Sequence, residues 1–156
     1  MDVSNSRFWE ERYSADNTPW DTKTTTPALI NSINHSKGKK IAILGCGYSK
    51  DSFFLARQGH SVYPIDFAVN PIEYLRSIKD KEGLHNLFPI QEDIFKLSNK
   101  YSNFFDIVVE YTCFCAIDPQ RRSRYVELVN NVLNKLAKNL IKRKGRTQNT
   151  KFKLVH

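Results

Sequence analysis

Residues 41–66 read IAILGCGYSKDSFFLARQGHSVYPID, and no other stretch limits the fold so tightly. Four apolar residues end on Gly45, as in a strand buried on both faces. A short polar turn follows, then "DSFFLARQG", a helical pattern closed by Gly59. "HSVYPID" is a second strand ending in Asp66. A strand, a crossover helix and a second buried strand make a βαβ unit, and parallel strands follow from it.

The rest of the chain continues the alternation. "PIEYLRSIKDKEG" predicts a helix with Pro71 near its start and Gly83 past its end. "LFPIQED" predicts a short third strand, with Pro89 directing it to a sheet edge. "FDIVVEY" predicts a fourth, β-branched strand. Apolar residues at 125, 126, 129, 132, 133 and 136 then predict one long helix. Upstream, residues 5–14 predict a short helix capped by Asn5 or Ser4. "TTTPALINSINH" predicts another, with Pro27 in its first turn. The expected class is α/β: a parallel sheet with flanking helices, in one domain over residues 1–140.

Ligands of such sheets lie at the carboxyl ends of the strands. The groups there are Gly45 and Gly47, Asp66, Asp93 with Ile94, and Glu110 with Tyr111. Glycines after the first strand let backbone approach a ligand closely. Asp66 follows Gly45 by 21 residues, where a carboxylate can accept both hydroxyls of a ribose. Position 50 is Lys, where a dinucleotide fingerprint has its third glycine, which argues against NAD or FAD. Asp93 and Ile94 have the address for an adenine: an acceptor for its amine and an apolar cover for its ring. The competing readings are a helix cap for Asp66, a solvated loop for Asp93 and a rim-packed ring for Tyr111.

Both tryptophans sit in residues 7–21, RFWEERYSADNTPWD, with Trp9, Tyr13 and Trp20 spaced four and seven apart. Either this arm lays an aromatic face on the domain, or residues 1–36 form an aromatic lid with its helix, over a ligand that favours π-faces. A ribose, an adenine and an amino-acid tail cradled by glycine describe S-adenosylmethionine, whose sulfonium is a cation suited to such rings.

"FWEERYSADNTPWD", "LGCGYSKD", "PIDF", "QEDIF" and "FDIVVEYTCFCAIDPQRR" run in one collinear order over residues 7–133. In them the chain resembles the thiopurine S-methyltransferase superfamily, in particular its halide and thiol methyltransferase branch. The resemblance implies a Rossmann-like class I methyltransferase that passes a methyl group from S-adenosylmethionine to a small soft nucleophile: a thiol, a thiopurine or a halide. It implies cofactor contacts at Trp9, Tyr13, Trp20, Gly45, Asp66, Asp93, Ile94 and Tyr111, with Gly47 in the same turn. Where the family turn reads G-C-G-x-G, this chain has Ser49 at the last position. Phe114 and Cys115 are the weaker candidates for the acceptor pocket. No residue is expected to act as acid, base or nucleophile, and Arg121 and Arg122 could hold an acceptor's carboxylate. The family continues past the long helix with a fifth strand and antiparallel closing strands. Residues 134–156 lack that pattern, so the chain reads as C-terminally truncated, with an exposed fourth strand and an incomplete acceptor pocket.

Charge and composition exclude other classes. The net charge of +8 arises wholly in residues 134–156, which hold eight basic residues and no acidic one, while residues 1–133 balance 16 against 16. The body therefore suits a small molecule better than a phosphate backbone. Residues 141–156 are expected to be a disordered basic tail, and a non-catalytic module that binds RNA or an anionic surface through it is the alternative. The start "MDVSNSRFWEE" is not a secretory signal, no apolar run reaches membrane-spanning length, and three cysteines without a framework predict reduced thiols in a cytoplasm. The four histidines lack metal-ligand spacing and are expected at the surface or in turns. "GYSKD" approaches a nucleophile elbow at Ser49 but has Asp51 where glycine belongs.

Overall fold

The computed structural model describes residues 3–33 and 37–137. Within them the helices are α1 (Ser6–Ser14), α2 (Pro27–Ile33), α3 (Lys50–Arg57), α4 (Val69–Glu82), α5 (Cys113–Ala116) and α6 (Arg122–Val132). The strands are β1 (Lys40–Leu44), β2 (Ser61–Asp66), β3 (Ile90–Gln91) and β4 (Ile107–Glu110), joined in one parallel sheet of order β3-β2-β1-β4. In register, Leu44 of β1 lies beside Ile65 of β2 and Glu110 of β4. β3 is one of the two edge strands and begins just after Pro89, which has no N–H to give a ladder.

Alternation along β1 builds two cores. Ile41 and Ile43 face Leu29 and Ile33 of α2, Phe53 and Leu55 of α3, and Ile72 and Leu75 of α4. Ala42 and Leu44 face Leu97, Phe105 and the α6 residues Tyr125, Leu128, Val129 and Val132. The sheet is thus covered on both sides, as its unbroken apolar strands require.

The helix signals act as read. Asn5 caps α1 by accepting from the Arg7 amide at 3.0 Å. Ser49, which is not among the caps read from the sequence, caps α3 by accepting from Ser52 N–H. Gly83 ends α4 in the left-handed region at φ +64°. α2 is tied to α3 by Asp51, whose carboxylate accepts from the backbone N–H and hydroxyl of Thr26 at 2.7 and 2.8 Å.

Two expectations fail. The predicted long helix stops at Val132. Leu133 turns extended and forms a parallel bridge to Phe105, and Asn134 N–H donates to Phe105 C=O. The apolar stripe runs on through 136, but the backbone is claimed by the segment entering β4. His60 is buried, its Nδ1 accepting from Lys39 N–H at 3.2 Å, while His85 is exposed in a turn. β4 pairs with β1 alone among the named strands of the described residues. The expected disordered basic tail over residues 141–156 lies outside the described residues.

Candidate functional site

The strand-end groups converge. Gly45 and Gly47 both adopt positive φ, +58° and +51°, a region open to glycine. Between them Cys46 N–H donates to Ile65 C=O at 3.0 Å, so the loop after β1 is stitched to the end of β2. A Cβ on Gly45 would lie 2.7 Å from Cys113 Sγ, and one on Gly47 would lie 3.0 Å from the Tyr13 hydroxyl. The missing side chains thus make room first for protein, Cys113 and Tyr13, on the side facing away from the loop backbone.

Asp66 is 5% exposed and organises three segments. Its Oδ2 accepts from Gly47 N–H and its Oδ1 from Ala68 N–H, each at 3.0 Å. The cap-like bond to Ala68 is the alternative reading of Asp66, and it coexists with free acceptor capacity, since a carboxylate has about four lone-pair sites. Burial pushes its pKa up to about 6, opposed by the amides of Ala68, Gly47 and Phe67, with the Glu10 charge adding to the rise. Asp93 accepts from Phe95 N–H at 2.9 Å through Oδ1 and opens a 3₁₀ turn over Ile94–Asn99.

A cavity of about 320 Å³ opens among these residues. Trp9, Tyr13, Trp20, Gly45, Asp66, Asp93, Ile94 and Cys115 all line it. A smaller hollow of about 60 Å³ adjoins it, sharing Tyr13, Trp20 and Gly45, and holds Gly47 and Tyr111. Phe114 points elsewhere: its ring packs 5.5 Å from Tyr125 in the core under α6, with the Arg122 guanidinium 5.3 Å above it. Helical spacing explains this, because α5 turns neighbouring residues 114 and 115 to different sides.

The arm is a wall of edge-on rings. Trp9 meets Trp20 at 5.5 Å, Trp20 meets Tyr13 at 6.0 Å, and Tyr13 meets Tyr48 at 5.2 Å. Trp9 Nε1 donates to Val3 C=O at 2.8 Å, which satisfies its one polar atom. The arm packs on the domain, and its three rings line the cavity.

Sequence reasoning missed other lining residues. Phe95 follows Ile94, and Ile117 and Asp118 come from the "FCAIDP" block. Arg121, named from the sequence as a possible partner of an acceptor's carboxylate, does line the cavity, stacked 4.0 Å over Phe95. Glu110, which is 6% exposed, turns inward to accept from Phe114 N–H at 2.6 Å, so it shapes the loop after β4. There Thr112 takes φ +63°, a left-handed conformation the sequence does not advertise.

Burial pushes the Tyr13 hydroxyl and the Cys46 and Cys113 thiols up, which keeps them protonated and poorly nucleophilic. Ser49 spends its hydroxyl as a helix cap. Among the described residues no group of His, Cys, Asp or Glu could hold a metal ion, and no helix is long and apolar enough to cross a membrane. Of the eight basic residues in 134–156 only Lys135 is described, so the anionic-surface reading falls outside the described structure.

Solved structures share this architecture. A Burkholderia thailandensis 1,6-didemethyltoxoflavin-N1-methyltransferase with S-adenosylhomocysteine bound superposes with a TM-score of 0.71 at 14% identity, over 85% of this chain and 57% of that one. TehB from Haemophilus influenzae matches with a TM-score of 0.64 at 23% identity, over 80% and 42%. The fold is therefore the Rossmann-like class I fold of S-adenosylmethionine-dependent methyltransferases.

Sequence comparison narrows the class. The thiopurine S-methyltransferase (TPMT) family model matches residues 4–144, and the chain belongs to that family. Curated relatives include a probable thiol methyltransferase 2 of Arabidopsis thaliana, 27% identical over 85% of this chain. Thiocyanate methyltransferase 1 of the same plant is 24% identical over 80%. The chain spans 59% and 56% of the length of these two relatives.

Proposed function

We propose that this chain binds S-adenosylmethionine and passes its methyl group to a small soft nucleophile: a thiol, a thiopurine or a halide-like anion. The observation that carries the reading is the cavity itself. It sets two strand-end carboxylates, Asp66 and Asp93, beneath the rings of Trp9, Tyr13 and Trp20. Its volume of about 320 Å³ falls within the range of small-ligand pockets. The donor set fits the group: an acceptor for a ribose diol, an apolar slot for a purine and π-faces for a cation.

In this reading Asp66 accepts from the ribose hydroxyls. Asp93 and Ile94 take the adenine, with Phe95 beside them. Gly45, Gly47 and Tyr111 border the hollow for the amino-acid end. The bound cofactor supplies a methyl group made electrophilic by its sulfonium. Trp9, Tyr13 and Trp20 exclude water and face that positive charge, an interaction of about 0.5–2 kcal/mol per ring. A thiolate or a halide-like anion attacks without losing a proton in the same step, so alignment and desolvation replace a general base. Cys115 lines the acceptor side. The relatives' names point to sulfur acceptors, and the free thiols of Cys46, Cys113 and Cys115 suit a reducing cytoplasm.

The test is methyl transfer from isotopically labelled S-adenosylmethionine to thiocyanate, iodide, thiophenol and a thiopurine, followed by mass spectrometry. Label in at least one acceptor is the expected result. No label in any of them, from folded chain at saturating donor, contradicts the proposed activity.

A further inference from the structure

Helix α4 starts without a cap of its own. Its N-cap position is Ala68, which has no side-chain acceptor, so the first N–H groups of the helix need another partner. Glu10 of α1 provides it. One carboxylate oxygen accepts from Val69 N–H and the other from Asn70 N–H at 3.4 Å, across 59 and 60 residues of sequence. The side chain of Asn70 answers by donating to Ser14 Oγ, one turn along α1 from Glu10, at 2.9 Å. A carboxylate at a helix N-terminus gains both the hydrogen bonds and the favourable end of the helix dipole.

The contact joins α1 of the arm to the N-terminal end of α4. Glu10 adjoins Trp9, which lines the cavity, and the same end of α4 is held from below by Asp66 through Ala68 N–H. We infer that Glu10 is the latch of the aromatic arm, a positioning residue that closes Trp9, Tyr13 and Trp20 over the cofactor cavity by capping α4 from outside that helix. The inference rests on the cofactor reading for its role in binding, but the latch itself concerns only the arm.

That separation makes the test clean, because Trp9 and Trp20 are the chain's two tryptophans and both lie in the arm. Tryptophan emission of the full chain without ligand therefore reports the arm alone. Glu10→Gln should raise the acrylamide quenching constant about twofold, because loss of a charged cap frees a locally unfolding segment. Ser14→Ala, which removes the Asn70 bond, should move it the same way by less. Glu11→Gln on the solvent side of α1, where Glu11 pairs with Arg7, should leave it unchanged. In calorimetry with S-adenosylhomocysteine, Glu10→Gln should weaken binding about tenfold.

The pH profile separates a latch from a loss of bulk stability. Asp66 is faced by the charge of Glu10 on α1, by Tyr13 on α1, by Cys46 in the glycine loop and by Cys113 on α5, and it accepts from the amides of Gly47, Phe67 and Ala68. Removing the Glu10 charge and loosening the arm both lower its pKa, so binding by Glu10→Gln should persist to lower pH than in the parent chain. Unchanged quenching in both Glu10→Gln and Ser14→Ala overturns the latch. If the quenching shifts but the parent chain binds no S-adenosylhomocysteine, the latch stands and the cofactor reading falls.

Discussion

At the scale of single residues, the glycine loop is fixed by its neighbours as much as by any ligand. Gly47→Ala brings a Cβ to 3.0 Å from the Tyr13 hydroxyl on a backbone already at φ +51°. We expect a loss of about 2–3 kcal/mol in denaturant unfolding, part steric and part conformational. In a Tyr13→Phe background the hydroxyl is gone, and the cost of Gly47→Ala should fall to about 1 kcal/mol, the left-handed penalty alone. Equal costs in the two backgrounds would show that the Tyr13 hydroxyl does not set the need for glycine. Asp66 makes a second prediction. Burial raises it to about 6, so the folded protein keeps a proton that the unfolded chain releases near its ordinary value. Its contribution to stability is present in full below about pH 4 and is lost as pH rises through about 6. Ligand affinity runs the other way in the proposed reading, where the ionised carboxylate accepts from the ribose, so affinity for S-adenosylhomocysteine should fall as pH drops through about 6. Calorimetry between pH 5 and 8 checks the sign.

At the scale of elements, α2 stays beside the glycine loop because Asp51 of α3 holds Thr26. Asp51 is 8% exposed, and its two bonds are charge-assisted. Asp51→Ala should therefore cost about 2–4 kcal/mol in chemical denaturation, and Asp51→Asn about half of that. A cost under 0.5 kcal/mol would mean that α2 is held by apolar packing alone. Elements whose signals are local were legible in the sequence. The run IAIL with its glycines, the Pro27 and Pro71 starts and the Gly83 stop needed only neighbours in the chain. The early end of α6 was not legible, since its apolar spacing continues through Leu133 and Leu136. What stops the helix is the Phe105 backbone, brought there by the tertiary fold. The inward turn of Phe114 and the Glu10 contact with α4 were hidden for the same reason.

At the scale of the whole molecule, two separate parts of the chain meet over one sheet. β1, β2, β3 and β4 bring the Gly45 loop, Asp66, Asp93 and the loop after Glu110 to one edge. The N-terminal arm then roofs that edge with Trp9, Tyr13 and Trp20. The address of each carboxylate could be read from the sequence, because parallel strands have one carboxyl end and Asp66 and Asp93 fall there. The partition of the space could not: a main cavity and a smaller hollow with Tyr111 depend on how α5 and the Thr112 turn are laid down. Isothermal titration of the full chain with S-adenosylhomocysteine, beside Asp66→Ala, tests the central claim. We expect saturable one-to-one binding at low and high salt that Asp66→Ala abolishes. Folded protein that takes up no ligand at millimolar concentration, or Asp66→Ala that binds as well as its parent, would contradict it.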